Sequence, residues 1–214
     1  MRTLATRLTP WLLVAILAPS LAGCFGAIAV GAGAGTLMLA DRRISETYLA
    51  DEGIEIRAAN RIREQYGDKV HVNVTSYNRT VLLTGEVPDA ATKEAVEKLV
   101  SSVNEIRRMT NELSISGNSS FSARSNDTYL TSKVKARFLD AARFQINVVK
   151  VVTENGGVYL MGLVTQAEAD AAVEIARTTG GVLRVIRVFE IISDEQARQI
   201  DKQQPPRQEN RPAK

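Results

Sequence analysis

Two stretches of the chain alternate apolar and polar positions in the same way. Residues 81–87, Val-Leu-Leu-Thr-Gly-Glu-Val, match residues 158–164, Val-Tyr-Leu-Met-Gly-Leu-Val, at an offset of 77 positions (158 minus 81). The identities fall on every second position, which is the period of a strand with one buried face. Both copies carry a glycine, Gly85 and Gly162, and a glycine inside a strand indicates a bulge or the close approach of another backbone.

The segments around these two strands repeat as well. A β-branched run precedes each of them, a short turn joins the two, and a third apolar run follows after a gap of helical length. The Asn155-Gly156 pair between apolar runs is a strong signal for a hairpin. The predicted first strands are 70–75 and 146–153, the turns are 77–79 and 154–157, and the third strands are 106–115 and 182–192.

Each repeat also contains two segments with the 3.6-residue apolar period of a helix. Thr165 and Glu168 fit a capping box, and Asp89 is the expected N-cap of the corresponding helix in the first repeat. The predicted buried stripes are Ile54, Ala58, Ala59 and Ile62; Ala90, Ala91, Ala95, Val96, Leu99, Val100 and Val103; Leu130, Val134, Phe138 and Ala141; and Ala169, Ala172, Val173 and Ala176.

The order of elements is therefore α-β-β-α-β, present twice. This order predicts an α+β protein with two tandem domains, each with two helices packed on a three-stranded mixed sheet. From residue 201 onward the chain has no apolar periodicity and holds three of the six prolines, which is typical of disorder. The predicted segments are a signal peptide (1–23), a tether and linker (24–49), domain one (50–115), a serine-rich linker (116–125), domain two (126–192) and a polar disordered tail (193–214).

The first residues are typical of a secretory signal. Arg2 and Arg7 give a basic start, an apolar run follows at 11–17, and Leu-Ala-Gly-Cys occupies 21–24. A basic start, a short apolar core and small residues before a cleavage point define such a signal. The tetrapeptide resembles the lipobox of bacterial lipoproteins, which implies that Cys24 is lipidated and becomes the mature N-terminus.

Cys24 is the only cysteine, which excludes an intrachain disulfide. The lipobox resemblance implies the outer membrane, because Phe25 stands where aspartate is associated with inner-membrane retention. Residues 25–40 are rich in Gly and Ala and fall short of the ~20 residues that a membrane span needs, so they are interpreted as a tether. Two alternatives stay open: Cys24 is an ordinary buried residue, or residues 11–40 form an uncleaved membrane helix.

The net charge and the small number of reactive side chains argue against several classes of function. The formal charge of +3 falls to +1 when Arg2 and Arg7 leave with the signal, which does not favour nucleic-acid binding. His71 is the only histidine, so neither a catalytic pair nor a metal site of the usual His/Cys spacing is expected. The sequence therefore predicts no enzyme, no cofactor and no metal.

One predicted helix, 127–143, departs from the ordinary amphipathic pattern. With Leu130 at the centre of its buried stripe, Tyr129, Ala136 and Leu139 project toward the opposite side. Apolar groups framed by cations are what contact with an anionic membrane surface requires. The alternative, in which Tyr129 and Leu139 pack on the first domain, stays open. The first helix of domain one carries Arg57, Asn60, Arg61 and Glu64 outside, with no such apolar pair expected. The framing cations of helix 127–143 are Lys133, Lys135 and Arg143.

Together these motifs resemble the BON domain family over nearly the whole mature chain. A lipobox followed by two α-β-β-α-β units resembles its dual-domain outer-membrane lipoproteins. The family usually has tryptophan at the position of Tyr129, which implies a softer interfacial anchor here. The matching segments are Asn-Val-Thr-Ser-Tyr at 73–77, Val-Leu-Leu-Thr-Gly at 81–85, Ser-Asn-Asp-Thr-Tyr at 125–129, Thr-Glu-Asn-Gly at 153–156 and Tyr-Leu-Met-Gly-Leu-Val-Thr at 159–165.

The resemblance implies a non-enzymatic lipoprotein that faces the periplasm and supports envelope integrity. It implies binding of anionic phospholipid, phosphatidylglycerol or cardiolipin, through the first helix of domain two. The alternative is an interaction scaffold that docks on the barrel-assembly machinery or on regulators of cell-wall hydrolases. The sequence contains no partner motif, so the scaffold rests on the resemblance alone.

Overall fold

The structure, a computed structural model, describes residues 41–203. The predicted signal peptide, Cys24, the tether up to residue 40 and residues 204–214 lie outside this range. The described residues form one compact unit. The helices are α1 (Ser45–Tyr66), α2 (Ala90–Ser101), α3 (Phe121–Ala141), α4 (Gln166–Arg177) and α5 (Asp194–Gln203), and the strands are β1 (His71–Tyr77), β2 (Thr80–Val87), β3 (Arg108–Asn111), β4 (Ser114–Ile115), β5 (Lys150–Glu154), β6 (Gly157–Val164) and β7 (Arg184–Ile191).

Each domain has the predicted mixed sheet, which confirms the fold class. In domain two, β6 pairs antiparallel with β5 and parallel with β7. In domain one, β2 pairs antiparallel with β1 and parallel with both β3 and β4. The third strand of domain one was predicted as one element, but it is broken at Leu113. The Leu113 N–H donates to the side chain of Asn111 at 3.2 Å, and its side chain is buried in the core.

The hairpin turns at Asn78-Arg79 and Asn155-Gly156 have positive φ at both central residues, as a tight turn between twisted strands requires. A buried aspartate from the preceding helix holds each turn. Asp51 accepts hydrogen bonds from both turn N–H groups of domain one at 2.8 and 2.7 Å. Asp127 does the same in domain two at 2.9 and 2.8 Å. This repeated aspartate–turn contact was not predicted.

The repeated glycines lie where a neighbouring backbone leaves no room for a side chain. A Cβ added at Gly85 would overlap the carbonyl oxygen of His71, and one added at Gly162 would overlap that of Val148. Gly85 also has a φ of +114°, which L-residues rarely adopt. Both glycines therefore allow the first and central strands to approach closely.

Three apolar clusters hold the molecule together. One lies between the helices and sheet of each domain, and the third joins the outer faces of the two sheets. Every residue of β2 and β6 is buried, so the prediction of one buried face was wrong for the central strands. The second face is buried by the other domain. The third cluster is centred on Tyr77, Leu82, Tyr159, Met161 and Leu163.

Several predicted boundaries were wrong because polar residues form structure there. Helix α1 begins at Ser45, inside the predicted linker, and Arg43 just before it donates to the buried Asp51 at 2.8 Å. Helix α3 begins at Phe121, inside the predicted serine-rich linker, where the Ser120 side chain accepts from the Ala123 N–H at 3.1 Å. An alanine side chain is so small that it indicates the buried face of a helix only weakly. Four alanines that were predicted to be buried are exposed: Ala90, Ala91, Ala95 and Ala141.

Helix α5 occupies residues that were predicted to be disordered. Ser193 and Gln196 cap it reciprocally, with hydrogen bonds of 2.9 and 3.1 Å, and Ala197 is buried. Asp201 accepts two hydrogen bonds from Arg42, at 2.9 and 3.0 Å. The prediction failed because capping and ion pairing, not an apolar stripe, stabilise this helix. Between residues 41 and 203, no helix is long and apolar enough to cross a bilayer.

Candidate lipid-facing helix

Helix α3 has one face in the core of domain two and the other in solvent. Tyr129, Ala136 and Leu139 are exposed, and Leu139 keeps 66% of its accessible surface. The alternative in which Tyr129 and Leu139 pack on the first domain is therefore wrong. The buried positions are Leu130, Val134 and Phe138.

Phe121 extends the exposed apolar face to the start of the helix. It precedes Leu139 by five turns, so the two side chains share one face across about 27 Å of helix. Phe121, at 80% exposure, is the most exposed aromatic residue in the described part of the chain, and Tyr129 follows at 62%. Sequence reasoning missed it because 116–125 was assigned to a linker. Ser120, a good N-cap residue directly before Phe121, was the available signal.

Hydroxyl side chains lie between the apolar ends of this face. The Thr128 hydroxyl donates to the Arg124 carbonyl at 3.1 Å, and the Ser132 hydroxyl donates to the Thr128 carbonyl at 3.1 Å. Such bonds to the preceding turn satisfy the hydroxyl hydrogens within the helix. The middle of the face is therefore less hydrophilic than its sequence indicates.

The three cations predicted to frame the face differ in their surroundings. Lys133 donates to the Gly180 carbonyl at 2.9 Å, and its Nζ lies 5.9 Å from the centre of the Tyr129 ring. Arg143 donates to Glu174 at 2.6 Å. Lys135 is exposed and forms no ion pair within residues 41–203. Lys135 is thus the cation with its charge most fully available.

The pairing of Arg143 with Glu174 reduces the positive charge that α3 presents to an anionic surface. The hydrogen bond from Arg143, followed by its charge, lowers the pKa of the Glu174 carboxyl. Glu174 is therefore anionic at neutral pH and offsets the Arg143 charge. Arg143 contributes less attraction toward an anionic surface than its sequence position predicts.

A groove of about 420 Å³ lies at the C-terminal end of α3. Leu139 and Arg143 line it, as do Arg42, Glu168 and Asp201. Arg42 is buried and donates to Glu168 at 2.7 Å and to Asp201 at 2.9 Å. The first described residues of the chain are therefore fixed beside the exposed end of α3.

The first helix of domain one does expose apolar residues, contrary to the prediction. Leu49 and Ile56 lie seven residues apart on α1, and each keeps 61% of its accessible surface. Arg57 pairs with Glu105 at 3.1 Å, and Arg61 donates to the Ser102 hydroxyl at 2.6 Å. Exposed apolar residues alone therefore do not distinguish α3 from α1 as the lipid-binding helix. Ile56 provides a matched control for Leu139.

Known proteins match most of the chain. The family model described as BON domain matches residues 51–117 and 126–193. The chain is 36% identical over 174 residues to the outer membrane lipoprotein DolP of Haemophilus influenzae, covering 80% of this chain and 90% of DolP. It is 32% identical over 154 residues to a 21 kDa hemolysin of Actinobacillus pleuropneumoniae, covering 71% and 79% of the two chains.

A third relative matches a smaller share of the chain. The chain is 31% identical over 117 residues to the osmotically inducible protein Y of Escherichia coli K12, covering 53% of this chain and 58% of that protein. The two matched domains, the repeated fold and the extent of the likeness to DolP agree. The chain belongs to the BON domain family and is a dual-BON outer-membrane lipoprotein of the DolP family, lipid-anchored and facing the periplasm.

Proposed function

We propose that this lipoprotein binds anionic phospholipid through the exposed face of α3 and thereby supports the integrity of the envelope. The observation that carries the proposal is the row of exposed apolar side chains on one helix, Phe121, Tyr129 and Leu139, with Lys135 beside them. Phosphatidylglycerol and cardiolipin are the proposed ligands. The role is structural and non-enzymatic.

The chemistry of the face fits a helix that lies in the membrane interface. Aromatic and leucine side chains enter the boundary between head groups and acyl chains, while cations meet anionic head groups. Lys135 contributes about 1 kcal/mol near such a surface. Ala136 adds apolar contact next to Leu139, and Lys133 and Arg143 contribute less because other groups already engage them.

Cys24 is the proposed site of lipidation, so the protein meets the membrane at two places. The anchor raises the local concentration of the α3 face at the membrane, so even a weak contact by α3 is favoured. Cys24 and Asp41 are 17 positions apart (41 minus 24), a span of at most roughly 60 Å. Arg42 lines the same groove as Leu139, which supports attachment of both to one membrane.

The test is vesicle binding by the fragment 40–214, which lacks the anchor and contains the compact unit formed by the described residues. It is expected to bind vesicles that contain phosphatidylglycerol or cardiolipin and to ignore zwitterionic ones. Binding is expected to weaken with salt, as the Debye length falls from ~10 Å at 0.1 M to ~3 Å at 1 M. Binding that appears only when an envelope protein partner is added contradicts the proposal and supports the scaffold.

A further inference from the structure

The interface between the two sheets has a polar end as well as an apolar one. His71 on β1 and Glu86 on β2 belong to domain one, and Glu154 at the end of β5 belongs to domain two. One ligand atom from each side chain lies within 4.8 Å of the other two. The domains therefore bring an imidazole and two carboxylates together at their junction.

Both carboxylates are almost completely buried, Glu86 at 1% exposure and Glu154 at 5%. Glu86 accepts hydrogen bonds from the Asn155 side chain at 2.6 Å and from the Ser119 N–H at 3.1 Å. Glu154 accepts one from the Asn73 side chain at 2.8 Å. Residues of both domains therefore hold the two carboxylates in position beside each other.

A buried hydroxyl without a partner points to the same place. The Oγ1 atom of Thr84 has no hydrogen-bond partner within the described part of the chain. Thr84 lies two residues before Glu86 on β2, so the two side chains project from the same face of the strand. Native proteins rarely leave a buried polar group unsatisfied, and an ion or its bound water is one common explanation.

A cavity of about 200 Å³ adjoins the cluster and gives it access from solvent. His71 and Glu154 line the cavity, with Asn73 and Thr153 beside them. Arg124 also borders it, but its guanidinium donates to the Ser119 carbonyl at 2.9 Å. The cavity is large enough for the water molecules that would complete the coordination of an ion.

We propose that His71, Glu86 and Glu154 bind one Zn²⁺ ion that joins the two domains. An imidazole nitrogen and carboxylate oxygens are accepted ligands of zinc, and three protein ligands with an open position are common. Zinc–ligand bonds of about 2.0–2.2 Å place tetrahedral donors roughly 3.4 Å apart, so small side-chain rotations suffice. The proposal is independent of lipid binding by α3.

Sequence reasoning predicted no metal site because it searched for histidine and cysteine at close spacing. The proposed ligands are instead separated by 15 and 68 positions (86 minus 71, 154 minus 86) and come from both repeats. A site that forms only when the domains pack has no local motif. The ion would replace the 2.8 Å hydrogen bond between His71 and Glu86 and offset the repulsion between the carboxylates.

The test is calorimetric titration of Zn²⁺ into the chelator-treated fragment 40–214, made without a histidine tag. The fragment has one histidine and no cysteine, so unrelated zinc sites are scarce. One ion per chain is expected to bind. His71→Asn and Glu154→Gln are each expected to weaken binding about 100-fold or more, because loss of a residue that only orients a metal ligand already costs roughly 10–100-fold. Glu190→Gln, which alters another interdomain hydrogen bond at 2.7 Å, is expected to bind like the unaltered fragment.

A second measurement covers variants that fail to fold. In the unaltered fragment, the ring signals of His71 in the proton spectrum are expected to shift on addition of Zn²⁺ and to return with chelator. Unchanged ring signals, several weak sites in place of one, or equal losses in Glu190→Gln and Glu154→Gln would each overturn the proposal.

Discussion

At Gly85 and Gly162, a backbone carbonyl occupies the space that a side chain would need. The alternating pattern of the sequence is enough to locate both residues, because they interrupt two matching apolar strands. Their physical role depends on the neighbouring strand, which the sequence does not specify. The same is true of Asp51 and Asp127, whose contacts with the hairpin turns become visible only when helix and turn are brought together.

Gly85→Ala is expected to lower the free energy of unfolding by about 2 kcal/mol or more, because it combines backbone strain with a clash against the adjacent strand. Urea denaturation of the fragment 40–214 measures this change. Gly117→Ala is the control, since nothing lies within 4 Å of a Cβ at that position. Equal losses in the two variants contradict the role assigned to Gly85.

Glu174 provides a residue-scale test of the lipid-facing surface. Glu174→Gln removes the partner of Arg143 and is expected to strengthen binding to phosphatidylglycerol vesicles about fivefold, the effect of about 1 kcal/mol. Co-sedimentation at low salt measures it. Glu195→Gln on α5 is the control, because it removes the same charge from another exposed ion pair, with Arg198. An equal gain in the control shows a net-charge effect and contradicts a role for Arg143.

Among the elements, those with a strong apolar period were predicted and those held by polar contacts were not. The capping box of α4 is present as predicted, and Asp89 caps α2. The start of α3 and all of α5 were missed, because Ser120 and the Arg42–Asp201 pair stabilise them without an apolar stripe. Burial of both faces of β2 and β6 was missed because it requires the second domain.

Helix α5 is expected to contribute to stability through Asp201. Asp201→Ala leaves the buried Arg42 guanidinium with fewer acceptors, and a loss of about 1–3 kcal/mol is expected. Chemical denaturation of the fragment measures it, and Lys202→Ala on the exposed side of the same helix is the control. A loss no larger than that of the control indicates that α5 does not hold the N-terminal segment.

In the whole molecule, the sheets of the two domains pack against each other. The helices of both domains therefore face outward. The exposed face of α3 and the groove that holds Arg42 meet at Leu139. A lipid anchor that precedes Arg42 and a helix face beside it would reinforce each other, because the first attachment raises the local concentration of the second.

The most direct test of this account compares Leu139→Glu with Ile56→Glu in binding to phosphatidylglycerol vesicles. The two side chains have nearly equal exposure, 66% and 61%, and lie on equivalent helices of the two domains. Leu139→Glu is expected to weaken binding about tenfold or more, because it removes an apolar contact and adds repulsion from anionic head groups. Ile56→Glu is expected to bind nearly as well as the unaltered fragment, with both variants folded by circular dichroism. If folded Leu139→Glu binds like the unaltered fragment, or if Ile56→Glu loses as much, α3 is not the lipid-binding surface.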